Sequence, residues 1–334
     1  MKIQRLLLVI LGMLVSILFM WSAFYNLDPR QVWLGIQTAN RQLLLGGMLL
    51  YYVAMMLIAV RWQFVLRSLA PLRWADLFPL VAIGYMGNNI YPFRAGEVLR
   101  IVLLRRNHAI PYVQATTATL VERVFDGVVM LTFIVIPIAF LPTLPPEVRW
   151  VAQLTAPVFL VCLGGFFLFA ARPMWLRGLV AWGVRPLSPR IQARLLAISE
   201  EVILGLESLR SLPNLLGVIF FSYASWLVEA GVYYVVAVAF DLSLDYGVVL
   251  AMVGGVNLAG LIPSAPGMVG VFERFIQLVL VAVGISHEIA IAYAITAHVA
   301  IWLPPTLIGF VFLGQQGLKL STITHADQLK EQIE

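Results

Sequence analysis

The chain has 334 residues, 61% of them hydrophobic and only 12% charged, with a formal charge of +5. A soluble domain carries about a quarter charged residues, so the composition describes an integral membrane protein and excludes a large soluble catalytic domain. The positive balance does not point to nucleic acid, because Lys and Arg flank apolar segments instead of forming one basic module; there they set topology and meet anionic lipid.

The basic start, Met1 to Arg5, leads into an apolar run ending near Phe24. The run is too long for a signal peptide and lacks a small-x-small cleavage site, so residues 1–24 are expected to form a retained span. Further runs near Leu43–Leu66, Thr119–Leu141, Trp150–Ala171, Pro213–Phe240 and Ile289–Leu313 each approach the length of about 20 residues that crosses a bilayer core. Two longer segments, Leu77–Leu104 and Tyr246–Gly284, are broken at their centres. The first break contains Asn88, Asn89, Tyr91, Pro92, Arg94, Gly96 and Glu97; the second contains Asn257, Pro263, Ser264, Pro266, Gly267 and Gly270. In both, a glycine follows a proline by four residues. Non-helical backbone inside a bilayer is tolerated only where protein or a wet cavity satisfies its polar groups, so each segment is read as two half-helices forming a re-entrant hairpin.

The predicted fold is therefore all-α and polytopic, with about six full spans and two re-entrant hairpins. Basic residues such as Arg67, Arg73, Arg105, Arg106, Arg172, Arg185 and Arg210 fall on one side, against Arg30, Arg41 and Arg149 on the other. This bias places the N- and C-termini in the cytoplasm of a cell whose inner membrane holds the protein. With that orientation, residues 43–141 and 213–314 form span–hairpin–span units of opposite topology, an inverted repeat of the kind seen in secondary transporters. Residues 150–171 add one span. Residues 172–212, where Arg190, Arg194, Glu200, Glu201 and Glu207 alternate with apolar residues, read as an amphipathic helical connector on the cytoplasmic surface. Residues 315–334 form a cytoplasmic tail.

Three groups of residues carry candidate chemistry. Asn88, Asn89, Tyr91, Arg94, Glu97 and Arg100 cluster at the first break, where an arginine fork suits a phosphate headgroup. Their structural alternative is an Arg94–Glu97 ion pair, with Arg100 snorkelling to the interface. Glu122 and Asp126 share a helical face near the start of the third long run, with Arg123 expected to point elsewhere. Two acids on one face need a cation opposite, for which Arg94 or Arg100 is the expected source. Asn257, Ser264, Glu273 and Arg274 belong to the second break, with Glu229 and His298 deep in the adjoining spans as candidate gating or proton-relay groups. The four histidines and lone Cys162 show no zinc spacing, and no glycine-rich nucleotide loop occurs, so no metal, cofactor or catalytic site is expected.

Taken in order, Asn89-x-x-Pro92-x-Arg94-x-Gly96-Glu97-x-x-Arg100, Glu122-Arg123-x-x-Asp126 and Pro263-x-x-Pro266-Gly267-x-x-Gly270-x-x-Glu273 resemble the flippase-like membrane region of the lysylphosphatidylglycerol synthase and multiple peptide resistance factor family. The resemblance runs from about Leu43 to Gly314. It implies a membrane protein that moves a lipid, a phospholipid or a polyprenyl-phosphate-linked one, between leaflets, with Arg94, Glu97, Glu122, Arg123, Asp126 and Glu273 at the matched positions. In that family the synthase activity belongs to a soluble carboxy-terminal transferase domain. The present sequence ends shortly after its last apolar run, so that activity is not expected here. Two alternatives stay open: a membrane-embedded enzyme acting on a lipid-linked phosphate or sugar, and a non-catalytic subunit that docks a soluble synthase or transferase.

Overall fold

A computed structural model describes residues 2–25, 27–92, 94–140, 157, 160–161, 163–260 and 262–318. Every regular element among the described residues is helical. Helix α1 covers Lys2–Phe24, α2 Pro29–Thr38, α3 Arg41–Val65, α4 Trp74–Ile90, α5 Ala95–His108 and α6 Tyr112–Phe140. After helical residues 163–171 come α7 (Pro173–Gly183), α8 (Pro189–Leu206), α9 (Leu212–Ala239), α10 (Tyr246–Ala259), α11 (Val271–Ala282) and α12 (His287–Gln315). Much of the first half of the expected span Trp150–Ala171, and the tail beyond residue 318, lie outside the described residues.

Among the described residues, three helices are long and apolar enough to cross a membrane: α3, α9 and α12. Counting α1 with α2 as one bent span gives a fourth. Helix α6 matches them in length at 29 residues but carries Glu122, Arg123 and Asp126 in its first half. It begins earlier than its apolar run suggests, which puts Glu122 roughly 15 Å along the helix at 1.5 Å per residue. Each break does separate two short helices, of 17 and 14 residues around the first and 14 and 12 around the second. Those helices are too short to span the core alone.

Two features differ from the sequence expectation. Helix α2 was not anticipated: Asp28 accepts a hydrogen bond from Arg30 N–H and Pro29 occupies the first turn, which together start a short helix that is not apolar overall. The connector is two helices instead of one, because Ser188-Pro189 restarts the chain after the turn that ends α7. Arg177 of α7 and Glu200 of α8 hold the pair together at 2.6 and 2.7 Å.

The two halves interlock. Helices α3 and α9 pack along each other, α4 packs on α12, and α10 packs on α6. Lipid offers no hydrophobic drive between helices, so close approach through small residues supplies much of the contact. Gly309 of α12 seats against Ala82 and Met86 of α4, and Gly254 of α10 seats against Met130 and Phe133 of α6. Tyr51, Met55, Tyr233 and Phe272 belong to one buried cluster, and Trp62, Leu80, Leu99 and Phe125 to a second.

Candidate functional site

The hairpin ends are built to bring polar groups into the interior. In the first, Gly96 lies against the carbonyl of Gly84 and the amide of Asn88, so α5 folds back tightly on α4. The turn closes through Arg94, whose φ of 52° and ψ of 40° lie in the left-handed region. For a residue with a side chain this conformation costs about 1–3 kcal/mol and marks functional segments more often than framework ones. In the second, Gly267 and Gly270 have φ of 69° and 88°, and Met268 between them has 61°. Helix α1 braces this turn: Ser16 Oγ accepts from Ala265 N–H at 2.7 Å.

Both breaks open onto one cavity of about 760 Å³, within the usual range for a small-molecule site. From the first hairpin, Asn88, Asn89, Tyr91, Arg94, Glu97 and Arg100 reach it; from the second, Asn257, Ser264 and Gly267 do. Arg123 of α6, Glu229 of α9 and His298 of α12 complete the polar lining, and Tyr51, Tyr85, Trp226, Tyr233 and Trp302 supply aromatic surface. Arg274 does not line it. That guanidinium turns to Gln277 Oε1 at 2.6 Å, and Gln277 in turn donates to Ala23 O, so the pair ties α11 to α1.

Behind the cavity wall lies an ion network. Glu122 accepts from Arg61 Nη2 at 2.5 Å and from Arg100 Nη2. Asp126 accepts from Arg61 Nη1 at 2.6 Å and from Trp226 Nε1 at 2.7 Å. Arg123 reaches Glu122 at 3.3 Å, Asp126 at 3.4 Å and Glu97 at 3.6 Å. The expectation that Arg123 would point away from the acids is therefore corrected: its long side chain folds back across the helix face. Arg100 does not snorkel. It is buried, with its guanidinium 4.1 Å from the Trp62 ring. Of the two expected sources of a cation, Arg100 does meet Glu122 and Arg94 does not; Arg61 of α3, which sequence reasoning missed, bonds to both acids. An arginine four residues before the end of a span passes for an interfacial anchor.

Arg94 stands apart from that network. Its contact with Glu97 is 3.3 Å and its side chain is 44% exposed. Together, Arg61, Arg94, Arg100 and Arg123 outnumber Glu97, Glu122 and Asp126 by one, and Arg94 is the guanidinium not locked inside. Asn89 is occupied structurally, donating to Trp302 O at 3.1 Å and Thr306 Oγ1 at 2.9 Å beside the prolines of α12. The buried Oδ1 of Asn88 has no hydrogen-bond partner among the described residues. Asn257 donates to Val253 O of its own helix. Glu229, only 5% exposed, has neither a hydrogen bond nor an ion pair with any described residue. Glu273 pairs with His298 at 2.6 Å just behind the second break. No group of three acid, histidine or cysteine side chains placed to hold a metal occurs among the described residues.

A model of the family described as the lysylphosphatidylglycerol synthase TM region matches residues 9–309. The chain belongs to that family. The chain is also similar to a UPF0104 membrane protein of Methanothermobacter thermautotrophicus, 24% identical over 89% of this chain and 90% of its own length. A second UPF0104 membrane protein of that organism is 25% identical over 78% of this chain and 79% of its own. Another relative, the glycosyltransferase AglD of Haloferax volcanii, is 25% identical over 93% of this chain but 54% of its own length. The chain thus spans about half of that protein. With the apolar helices described above, family membership establishes an integral membrane protein.

Proposed function

We propose that the protein moves an amphiphile with an anionic or zwitterionic headgroup between membrane leaflets, with the headgroup held at Arg94. The observation that carries this reading is the convergence of two broken helical segments on one cavity holding an excess guanidinium. Helix breaks facing each other across a shared polar hollow are the transporter arrangement for a substrate at mid-membrane. Phosphate is the fitting partner for Arg94, because a guanidinium fork binds its oxygens in pairs. A phospholipid or a polyprenyl-phosphate-linked lipid carries such a group.

In this reading α3–α6 and α9–α12 are the two units of an inverted repeat. Each is a long helix, two short ones around a break, and a second long helix. Their packing exchanges accordingly: α4 on α12 answers α10 on α6, and α3 against α9 lies on the dividing line. Six spans and two re-entrant hairpins, with both termini in the cytoplasm of a cell membrane, follow from the same scheme. Alternating access is then a rocking of one unit against the other, with Glu97 and the Glu122/Asp126 network balancing charge as the headgroup enters or leaves.

The test is a leaflet assay with purified protein in vesicles of phosphatidylcholine and phosphatidylglycerol carrying a fluorescent phosphatidylglycerol. Dithionite quenching of the outer leaflet should deepen beyond half when the protein is present, and Arg94→Ala should remove the effect. Equal quenching by both proteins would count against the Arg94 site.

Similarity to a protein named a glycosyltransferase favours a second reading, in which the cavity presents a lipid-linked sugar or phosphate for transfer, within this chain or with a soluble partner docked on α7 and α8. Product formed by the purified chain alone, with no lipid movement, would support it over the first.

A further inference from the structure

Two hydrogen bonds of His298 fix where its protons are. Nε2 lies 2.8 Å from the carbonyl oxygen of Gly267. A carbonyl only accepts, so Nε2 carries a hydrogen. Nδ1 lies 2.6 Å from Glu273 Oε1, while Glu273 Oε2 accepts from Gly270 N–H at 2.6 Å. One proton must therefore sit between Nδ1 and Oε1. Imidazolium with carboxylate, or imidazole with carboxylic acid, describes the same neutral pair. Without that proton two lone pairs would face each other at 2.6 Å. The ring is also stacked on Phe272 at 4.2 Å and 20°, an arrangement that accommodates a cationic imidazolium.

The bridge joins the second break to a continuous helix. Gly267 and Gly270 carry the positive φ values of the second break, and His298 belongs to the long helix α12. Both His298 and Gly267 line the cavity, so a released proton has a direct exit into it. We propose that the His298–Glu273 pair is a proton-binding site whose occupancy latches the second break onto α12, and that losing the proton frees this part of the cavity wall. The site stands on hydrogen-bond geometry; its role in coupling rests on the transport reading above.

Other titratable groups near the pair are few among the described residues. From α9, Glu229 and Tyr233 face the same cavity, as do Tyr51 from α3 and Tyr85 from α4, with Arg94, Glu97, Arg100 and Arg123 also in its lining. Arg274, next to Glu273 on α11, is tied to Gln277. Helix α2 offers only the exposed Arg30, α10 has only Tyr246 at its start, and the described side chains of α1 include no acid or base. On α12 itself His287 and Glu288 sit at its first turn.

The test is amide hydrogen exchange of the full chain in lipid nanodiscs across a series of pH values, with the imidazole ¹⁵N shifts recorded at each to report when the shared proton is lost. Relative to amides of α9, exchange at residues 267–273 should rise about ten- to a hundredfold once the proton is lost, the size of one charge-assisted hydrogen bond. Glu273→Gln keeps all three hydrogen bonds, with its amide donating to Nδ1 and its oxygen accepting from Gly270, but has no proton to lose. Its exchange should stay low throughout the series. A flat profile in the wild type, or the same rise in Glu273→Gln, overturns the proposal, and the wild-type profile alone decides it should that variant not fold. In vesicles, fluorescent phosphatidylglycerol should cross more slowly with Glu273→Gln. If the latch titrates and no labelled lipid moves, the transport reading fails while the proton site stands. Lipid movement indifferent to both pH and Glu273→Gln removes the coupling role.

Discussion

Arg61 of α3 and Glu122 of α6 meet at 2.5 Å with side chains 1% and 0% exposed. Through Asp126, Ser222 and Arg100 this contact joins α3, α5, α6 and α9, helices drawn from both halves of the chain. Placing ions so deep is costly, and the cost is offset only while every partner is present. Arg61→Met should therefore lower stability by about 3–5 kcal/mol, the usual effect of removing one partner from a buried ion pair. Thermal loss of monodisperse protein in detergent reads this out. The double variant Arg61→Met with Glu122→Gln should cost less than the sum of the two single losses, since the two residues share one network; additive losses would mean the pair is not the joint described.

Glu229 presents the opposite situation. It lies in the cavity wall, 5% exposed, with no hydrogen bond or ion pair to any described residue. Glu229→Gln removes a carboxyl group and preserves its shape, so no folded-state contact is lost. The expected change in unfolding temperature is zero or slightly upward, because a neutral amide is cheaper to hold in the interior than an ionised carboxylate. A clear fall in stability would show that the carboxylate has a structural partner after all.

Much of the architecture was legible because bilayer thickness dictates it. Apolar runs read as 43–66, 213–240 and 289–313 became helices Arg41–Val65, Leu212–Ala239 and His287–Gln315, and the Pro and Gly clusters fell at real breaks. The family expectation agrees with the match over residues 9–309. What stayed hidden depends on helix rotation and on contacts between distant segments. Arg61 was not singled out, because its partners come from α6, far along the chain. Arg274 follows Glu273 directly, but one residue turns a side chain by about 100° on a helix, and it points toward α1. Arg123 reached the acids by its length, which spacing alone does not convey. Helix α2 was visible in principle, through Asp28-Pro29, but at 10 residues it is too short and too polar overall to stand out among apolar runs.

Arg94 and Arg100 should separate function from folding. Arg100 is buried and bonded to Glu122, whereas Arg94 keeps one 3.3 Å contact and a half-exposed side chain. Arg94→Ala should change stability by no more than about 1 kcal/mol, as for exposed ion pairs, while abolishing the lipid movement proposed above. Arg100→Ala should instead destabilise the fold by several times that amount, about 3–5 kcal/mol, measured in the same thermal assay. Equal losses of stability would place Arg94 within the framework.

The first hairpin makes its own demand on residue size. A Cβ at Gly96 would collide with the carbonyl of Gly84 and come within 2.7 Å of Asn88 N, and backbone atoms cannot swing aside as a side chain can. Gly96→Ala must push α5 off α4, widening the turn at Arg94 and displacing Glu97 and Arg100 from Arg123 and Glu122. Overpacking of this kind costs typically about 1–3 kcal/mol, and the loss of network geometry adds to it. Gly178 of α7 is the control: a Cβ there meets nothing within 4 Å, and an interior helical glycine is about 0.5–1 kcal/mol worse than alanine. Gly178→Ala should raise the unfolding temperature while Gly96→Ala lowers it. Opposite signs from one chemical change would show that helix contact at Gly96, and not helix propensity, decides whether the first break can close.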